Sequence, residues 1–259
     1  MKSKIFDYLK KLIKMLIWPI IFMIGQFLIS YIISLGYTLT HSNLPLEELT
    51  SNTSVFLEKN KVLISFLSLC IFLPIFIHQY KKMKTDNYKF NKDYLFIFLF
   101  GIGYSIIINI LFLNFNNVLG INSNQFSPIS NNQIIPLIIC SGIIGPILEE
   151  YLFRGIVFNK LKIFNSKKIS IFLTSLIFSL VHGNIFNMIN AFILSYIAFY
   201  LYDKYKTLLA SIILHISVNT TVVLIINIIV SNFNNIDYLL LLMGFIFIML
   251  SSVKIFKNT

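Results

Sequence analysis

The sequence predicts an all-α fold: a polytopic transmembrane helical bundle of about eight spans. Two observations predict it. Of the 259 residues, 57% are apolar and only 12% are charged, at a mean hydropathy of +0.81, whereas a soluble domain carries about 25% charged residues. The apolar residues also fall into long runs, most of them near the ~17–25 residues that a helix needs to cross a bilayer.

The predicted spans follow one another with only short polar segments between them. Almost no residues are left for a soluble domain, so residues 1–259 are predicted to form a single integral-membrane domain. The fifth and sixth spans are short, and Gly183 and Asn184 between them predict a helix that ends part-way across the membrane, which is tolerated where the backbone lines a wet cavity. The predicted spans are residues 15–37, 61–80, 94–115, 134–158, 169–182, 188–202, 208–230 and 238–253.

The basic residues lie in clusters at the ends of the apolar runs and account for the net charge of +11. With the N-terminus inside, 19 of the 21 Lys and Arg residues fall on the inner side, and only Lys59 and Lys61 fall outside. The positive-inside rule therefore predicts a multi-pass protein of the cell membrane with both termini in the cytoplasm. This distribution favours the lipid bilayer as the partner of the lysines and argues against nucleic acid.

Two adjacent carboxylates, Glu149 and Glu150, lie inside the fourth span. An acidic side chain at that depth costs about 2.5–3.5 kcal/mol, so it persists only with a partner or a function. Glu150 and Arg154 are four residues apart and share a helix face, which predicts a buried ion pair and leaves Glu149 to point into the bundle. Pro146 cannot donate a backbone hydrogen bond, which predicts a helix kink one turn before the glutamates. A purely structural role, with Glu149 bonded to a neighbouring helix, is the alternative.

Three further polar groups follow in the next spans. His182 ends one apolar run, and His215 and Asn219, four residues apart, project from one helix face. Measured from the predicted cytoplasmic ends, Glu149, His215 and His182 lie roughly 15, 14 and 21 Å deep, so they can converge in one layer. A lone His or Asn in an apolar helix is more often a packing residue, but with the glutamate pair there are polar groups in three spans, which are harder to explain in that way.

Together these residues form three ordered motifs: Glu-Glu-x-x-x-Arg, Phe-x-x-x-His and His-x-x-x-Asn. In this order on successive spans they resemble the CPBP family, which comprises the CAAX prenyl endopeptidases and the bacteriocin-processing or Abi-type membrane proteases. All three motifs match without substitution, within residues 138–223. The resemblance implies an intramembrane endopeptidase, a hydrolase of a type commonly called a metalloprotease, with a protease core at about 134–230. Its substrate would be a peptide or protein in the membrane.

The resemblance also implies roles for individual residues. Glu149 would be the general base that activates a water molecule. His182 would hold or polarise that water, and His215 and Asn219 would donate hydrogen bonds to the developing oxyanion. The residues implied to support these four are Glu150, Arg154 and Phe178.

Metal use is left open by the sequence. A metal-free glutamate mechanism is favoured, and thus no cofactor. The alternative is zinc held by Glu149, His182 and His215, because two His and one carboxylate form a known catalytic ligand set. The usual His-Glu-x-x-His zinc signature is absent from the chain.

Two other functions stay open. A non-catalytic bacteriocin-immunity or regulatory membrane protein would need the bundle only as a binding scaffold. A proton-coupled transporter would use buried Glu and His side chains as a relay. Unbroken motifs favour the enzyme over the scaffold, and the lack of an internal repeat disfavours the transporter. The richness in Ile, Asn, Lys and Phe is typical of a low-GC bacterium, in which peptide substrates are favoured over prenylated ones.

Overall fold

Every regular element in the described part of the chain is a helix. The structure, a computed structural model, describes residues 2–83, 91–119, 131–232 and 237–256. Seven of the helices found there are long and apolar enough to cross a membrane, which confirms the prediction of an all-α, polytopic bundle. The helices are α1 (Lys2–Thr40), α2 (Leu46–Lys59), α3 (Lys61–Met83), α4 (Asp93–Leu119), α5 (residues 131–161), α6 (Lys167–Leu180), α7 (Ile185–Tyr205), α8 (Leu208–Asn232) and α9 (Asp237–Phe256).

The predicted fifth span, residues 169–182, is too short to cross a membrane by itself. It corresponds to α6, which has 14 residues and is therefore about 21 Å long, against a hydrocarbon core of about 30 Å. The break predicted at Gly183 and Asn184 is present. Gly183 has a φ of +82°, which glycine adopts without strain, and the Asn184 side chain caps α7 by accepting a hydrogen bond from the backbone N–H of Asn187 at 3.0 Å. Of the about eight spans expected, seven correspond to helices of the described residues that are long enough to cross a membrane, and α6 is the shorter eighth.

α6 and α7 form an antiparallel hairpin whose two ends lie together. Lys167, at the start of α6, pairs with Asp203 near the end of α7 at 2.6 Å. The hydroxyl of Tyr205 donates a hydrogen bond to Asp93, at the start of α4, at 2.9 Å. α6 has 14 residues, so the turn at residues 181–184 lies about 21 Å or more from that shared end.

α5 is one continuous helical run with two irregular segments. Ile138–Ile144 and Tyr151–Val157 are π-helical, and the turn between them, Gly145–Glu150, is α-helical. π-Helical turns are rare and occur frequently at functional sites. The two glutamates thus lie at the end of a short α-helical segment that has a π-helical segment on each side.

Pro146 explains the first of these irregular segments. Proline has no N–H to donate to the carbonyl four residues earlier, and that carbonyl, on Gly142, accepts instead from the hydroxyl of Thr220 at 3.3 Å. The neighbouring carbonyl of Ser141 accepts from Nδ2 of Asn219 at 3.2 Å. The irregularity expected at Pro146 therefore takes the form of a π-helical turn whose free carbonyls are bonded by α8.

α4 holds α8 in place by a close approach. A Cβ atom on Gly101 would lie 1.7 Å from Oγ of Ser217 and 3.0 Å from the backbone oxygen of Leu214. One turn further along, the hydroxyl of Ser105 donates to the carbonyl of Val218 at 3.0 Å. Small residues allow helix backbones to approach in this way, and the contact fixes the part of α8 that carries the His-x-x-x-Asn motif.

Candidate active site

A buried ionic cluster lies at the centre of the bundle. The Glu150 side chain is fully buried, and its Oε1 lies 3.0 Å from Nη1 of Arg154 and 2.9 Å from Nδ1 of His215. Arg154 is equally buried and its guanidinium lies over the rings of Phe178 and Phe199, 4.7 and 5.1 Å from their centroids. The ion pair expected from the four-residue spacing is therefore present, and Phe178 packs directly on it.

Glu149 faces different surroundings from its neighbour. Its side chain is 29% exposed, and its Oε2 lies 3.7 Å from Nε2 of His215. The carboxylate of Glu150, paired with Arg154, can only accept, so the bond to His215 requires the hydrogen on Nδ1 and turns Nε2 toward Glu149. One imidazole thus contacts both carboxylates: Glu150 fixes its orientation and Glu149 lies at its other nitrogen.

His182 reaches the site from the turn after α6. Its Nδ1 lies 2.6 Å from the carbonyl oxygen of Phe178, and its ring packs against the Phe178 ring with centroids 4.5 Å apart. The Phe178 ring also contacts His215 edge-on at 5.8 Å. Phe178 therefore positions both imidazoles as well as the guanidinium of Arg154.

A cavity of about 410 Å³, called here the large cavity, brings Glu149, His182 and Asn219 together. His215 does not line it but lines a second, small cavity of about 170 Å³, whose walls also include His182 and Asn219. The structure thus places the four residues expected to be catalytic around two adjoining cavities, with Glu150 and Arg154 behind them.

Several residues of this site were missed by sequence reasoning. Gln26 of α1 and Ser65 of α3 line the large cavity, and Asn109 and Asn190 line the small one. The available signal was a polar residue inside an apolar run, but such residues are usually packing groups. Only the fold shows that these four face cavities.

The zinc alternative does not fit the side chains as they are arranged. No three His, Cys, Asp or Glu side chains in the described part of the chain are grouped so that they could hold a metal ion. Of the proposed ligands Glu149, His182 and His215, both imidazoles bond through Nδ1, to the carbonyl of Phe178 and to Glu150, so Nε2 is the nitrogen that each could offer to a metal. The hydrolysis proposed for this site uses no metal.

The part of the chain that carries the candidate site is similar to known proteins. Residues 131–221 match the family described as type II CAAX prenyl endopeptidase Rce1-like. The resemblance to the CAAX prenyl endopeptidases is confirmed. The Rce1-like segment contains Glu149, His182, His215 and Asn219, together with the π-helical turns of α5 and the α6–α7 hairpin.

Two curated proteins match parts of the same chain. One is the UPF0177 protein YxdF of Lactococcus lactis subsp. lactis (strain IL1403), 38% identical over 79 residues, which are 30% of this chain and 43% of that protein. The other is named "Putative membrane peptidase YdiL", from Bacillus subtilis (strain 168), and is 34% identical over 91 residues, 35% of this chain and 37% of that protein. The chain thus spans less than half the length of these relatives. No solved structure matches it.

Proposed function

We propose that this multi-pass membrane protein is an intramembrane endopeptidase that hydrolyses a peptide bond of a membrane-associated peptide or protein. The Rce1-like match over residues 131–221 and the name of the Bacillus subtilis relative support peptidase activity. The observation that carries the proposal is the division between the two carboxylates. Glu149 faces a cavity beside His182 and Asn219, while Glu150 is buried against Arg154.

In the proposed reaction, Glu149 takes a proton from a water molecule whose oxygen attacks the scissile carbonyl. His182, on the wall of the same cavity, holds that water. Nε2 of His215 is 3.7 Å from Glu149, so it can share the proton, and Glu150 stabilises the resulting imidazolium through Nδ1. The proton is finally delivered to the leaving amine, which completes hydrolysis.

The oxyanion requires donors in a site that excludes most water. An amide NH₂ has two hydrogens, and Asn219 uses one of them on the carbonyl of Ser141. Its second hydrogen, together with His215 once protonated, would stabilise the oxyanion. A donor of this kind contributes about 2.7–4 kcal/mol in measured cases. Asn219 is therefore both anchored to α5 and present at the cavity wall.

The substrate is proposed to enter the large cavity from the side of α1. Pro19, Phe22 and Gln26 of α1 form part of the cavity wall, and most of the large apolar side chains of α1 are exposed. A lightly packed helix beside the site gives a membrane-embedded peptide a route from the bilayer. The amide of Gln26 can bond the backbone of an extended peptide.

The decisive experiment replaces Glu149 by Gln. This change keeps the size of the side chain but removes proton acceptance, so cleavage should be abolished while the amount of folded protein stays near that of the wild type. The readout is the set of peptides in membranes of cells that produce each variant. Glu48→Gln, the same change at an exposed position in α2, is the matched control and should retain cleavage. Near-wild-type cleavage by Glu149→Gln would refute the proposal.

A further inference from the structure

The small cavity is lined by polar side chains that the proposed reaction does not use. Asn109 of α4 and Asn190 of α7 face it, together with Asn219, His182 and His215. Such groups in the membrane interior are costly and persist where they have partners or a function. With Asn187 of α7, three helices thus contribute four asparagines to one space beside the candidate site.

Two of these asparagines are held in place by bonds to α4. Nδ2 of Asn109 donates to the carbonyl of Ser105 at 2.7 Å. Oδ1 of Asn190 accepts from the hydroxyl of Tyr104 at 2.6 Å. An amide carries both an acceptor oxygen and a donor nitrogen, so each of these bonds occupies one group and leaves the other for bonding in the cavity.

The size and chemistry of the small cavity match water. A cavity needs about 10–15 Å³ and two to four polar partners to hold one water molecule. At about 170 Å³, with four amides and two imidazoles on its walls, the small cavity exceeds both requirements. The large cavity of about 410 Å³ is the one that meets Glu149 and has room for a peptide segment.

The two cavities meet at the candidate catalytic residues. His182 and Asn219 line both of them, whereas Glu149 lines only the large cavity and His215 only the small one. The 3.7 Å contact between Glu149 and His215 bridges the two spaces. We propose that the small cavity is a water compartment that supplies the hydrolytic water to Glu149 while the peptide occupies the large cavity. This inference rests on the proposed function.

A route away from the site continues from the small cavity. Asn109, Asn187 and Asn190 also line a third cavity, of about 230 Å³, between α4 and α7. Phe112 and Phe186 contact each other at 4.5 Å in its wall. These residues lie toward the end of the bundle opposite to the start of α4. Water would therefore reach the site from that end, away from the α1 side through which the substrate enters.

Water access can be measured without any substrate. Ala191 lines the small cavity and is 4% exposed, while Ala198, about two turns later on α7, is 1% exposed and packs in an apolar cluster with Leu194. Each would be changed to Cys in a protein whose own thiols are removed by Cys70→Ser and Cys140→Ala. The probe is 2-aminoethyl methanethiosulfonate, which is small, charged and water-soluble.

The Ala191→Cys thiol should react several-fold faster than the Ala198→Cys thiol, because only the first faces the proposed compartment. Equal rates would overturn the inference. The labelling does not depend on peptidase activity, so its outcome is separate from that of Glu149→Gln. A slow Ala191→Cys thiol in an active peptidase refutes the water compartment alone, and a fast one in a protein without peptidase activity refutes the proposed function alone.

The role in catalysis needs a kinetic measurement. Asn109→Leu keeps the approximate size of the side chain but removes its polar atoms, so kcat should fall several-fold while KM stays unchanged, because the large cavity is untouched. Asn109→Ser keeps a polar group and should retain more of kcat than the leucine variant. The matched control is Asn43→Leu in an exposed turn, which should leave both constants unchanged. An unchanged kcat, or an effect on KM alone, would contradict the proposal that Asn109 helps to supply water to Glu149.

Discussion

Glu149 and Glu150 are chemically identical neighbours whose surroundings differ. About 100° of helix rotation separates them, so Glu150 contacts Arg154 and His215 in the fully buried cluster, while Glu149 reaches the large cavity. Two carboxylates in different environments commonly take different roles in hydrolases. In this protein the buried one is a structural anion and the exposed one is the candidate base.

We expect Glu150→Gln to lose stability as well as activity. The change leaves Arg154 buried without its partner, and breaking a buried ion pair from one side costs about 3–5 kcal/mol in the free energy of unfolding. Thermal unfolding of the purified variant in detergent measures this loss. The double variant with Arg154→Met removes both charges and should recover much of the stability. A double variant no more stable than Glu150→Gln would show that the unpaired guanidinium is not the cause.

Metal use can be decided on purified protein. If Glu149 acts without a metal, active protein should contain no stoichiometric zinc, and chelators should leave the cleavage rate intact. The arrangement of the side chains supports this expectation, since no three His, Cys, Asp or Glu side chains in the described part of the chain are grouped so that they could hold a metal ion. Activity that is lost on chelation and restored specifically by zinc would instead make His182 and His215 ligands.

At the scale of single elements, irregular helices bring the site together. The π-helical turn Ile138–Ile144 exposes carbonyls that Asn219 and Thr220 bond, so α5 and α8 are joined beside the glutamates. The short α6 ends just before His182, whose side chain lines the same cavity as Glu149. A regular α-helix in place of the π-helical turn would use the carbonyl of Ser141 within α5 and leave it unavailable to Asn219.

The contact between α4 and α8 gives a prediction at this scale. Gly101→Ala would place a Cβ atom on the Ser217 side chain and against the carbonyl of Leu214, which should cost about 1–3 kcal/mol of stability and shift the helix that carries His215 and Asn219. Thermal unfolding and cleavage assays would both detect it. Gly36→Ala is the matched control, since no atom lies within 4 Å of the added Cβ. Equal melting temperatures for the two variants would contradict the close approach.

At the scale of the whole molecule, several basic helix ends lie together. The start of α6 meets the end of α7 through Lys167 and Asp203, and Lys204 donates to the backbone oxygen of Ile255 at the end of α9. Lys160, near the end of α5, lies over the ring of Trp18. One end of the bundle is therefore rich in lysine. The sequence also predicts Lys84, Lys89 and Lys257 to be on the inner side of the membrane, but these three lie outside the described residues.

The orientation of that end in the membrane is predicted from the positive-inside rule. In a background without Cys70 and Cys140, a cysteine at Asn43, in the turn between α1 and α2, should react with an impermeant thiol reagent added to intact cells. A cysteine at Asn91, before α4, should react only after permeabilisation. The reverse labelling pattern would refute a cytoplasmic lysine-rich end.

Much of the architecture could be predicted from local sequence. Long apolar runs predicted the membrane helices because burial in a bilayer demands about twenty apolar residues in succession. The spacing of Glu150 and Arg154 predicted their ion pair because four residues return a helix to the same face. The fifth predicted span is a helix, α6, but with 14 residues it is shorter than the seven candidate spans, since an apolar run shows that a segment is buried but not how long its helix is. α2, which is polar and short, carried no clear signal.

Apolar runs in the sequence thus determined the helices of this protein, and its three ordered motifs carried the family resemblance, which implied the candidate residues. The tertiary structure alone decided that Glu149 faces a cavity, that His215 stands between the two carboxylates, and that Asn109 and Asn190 share a space with it. The physical reason is that residue spacing fixes which side chains share a face of one helix. The helices that pack against that face come from distant parts of the chain. The neighbours of a polar side chain therefore depend on contacts that no short stretch of sequence contains.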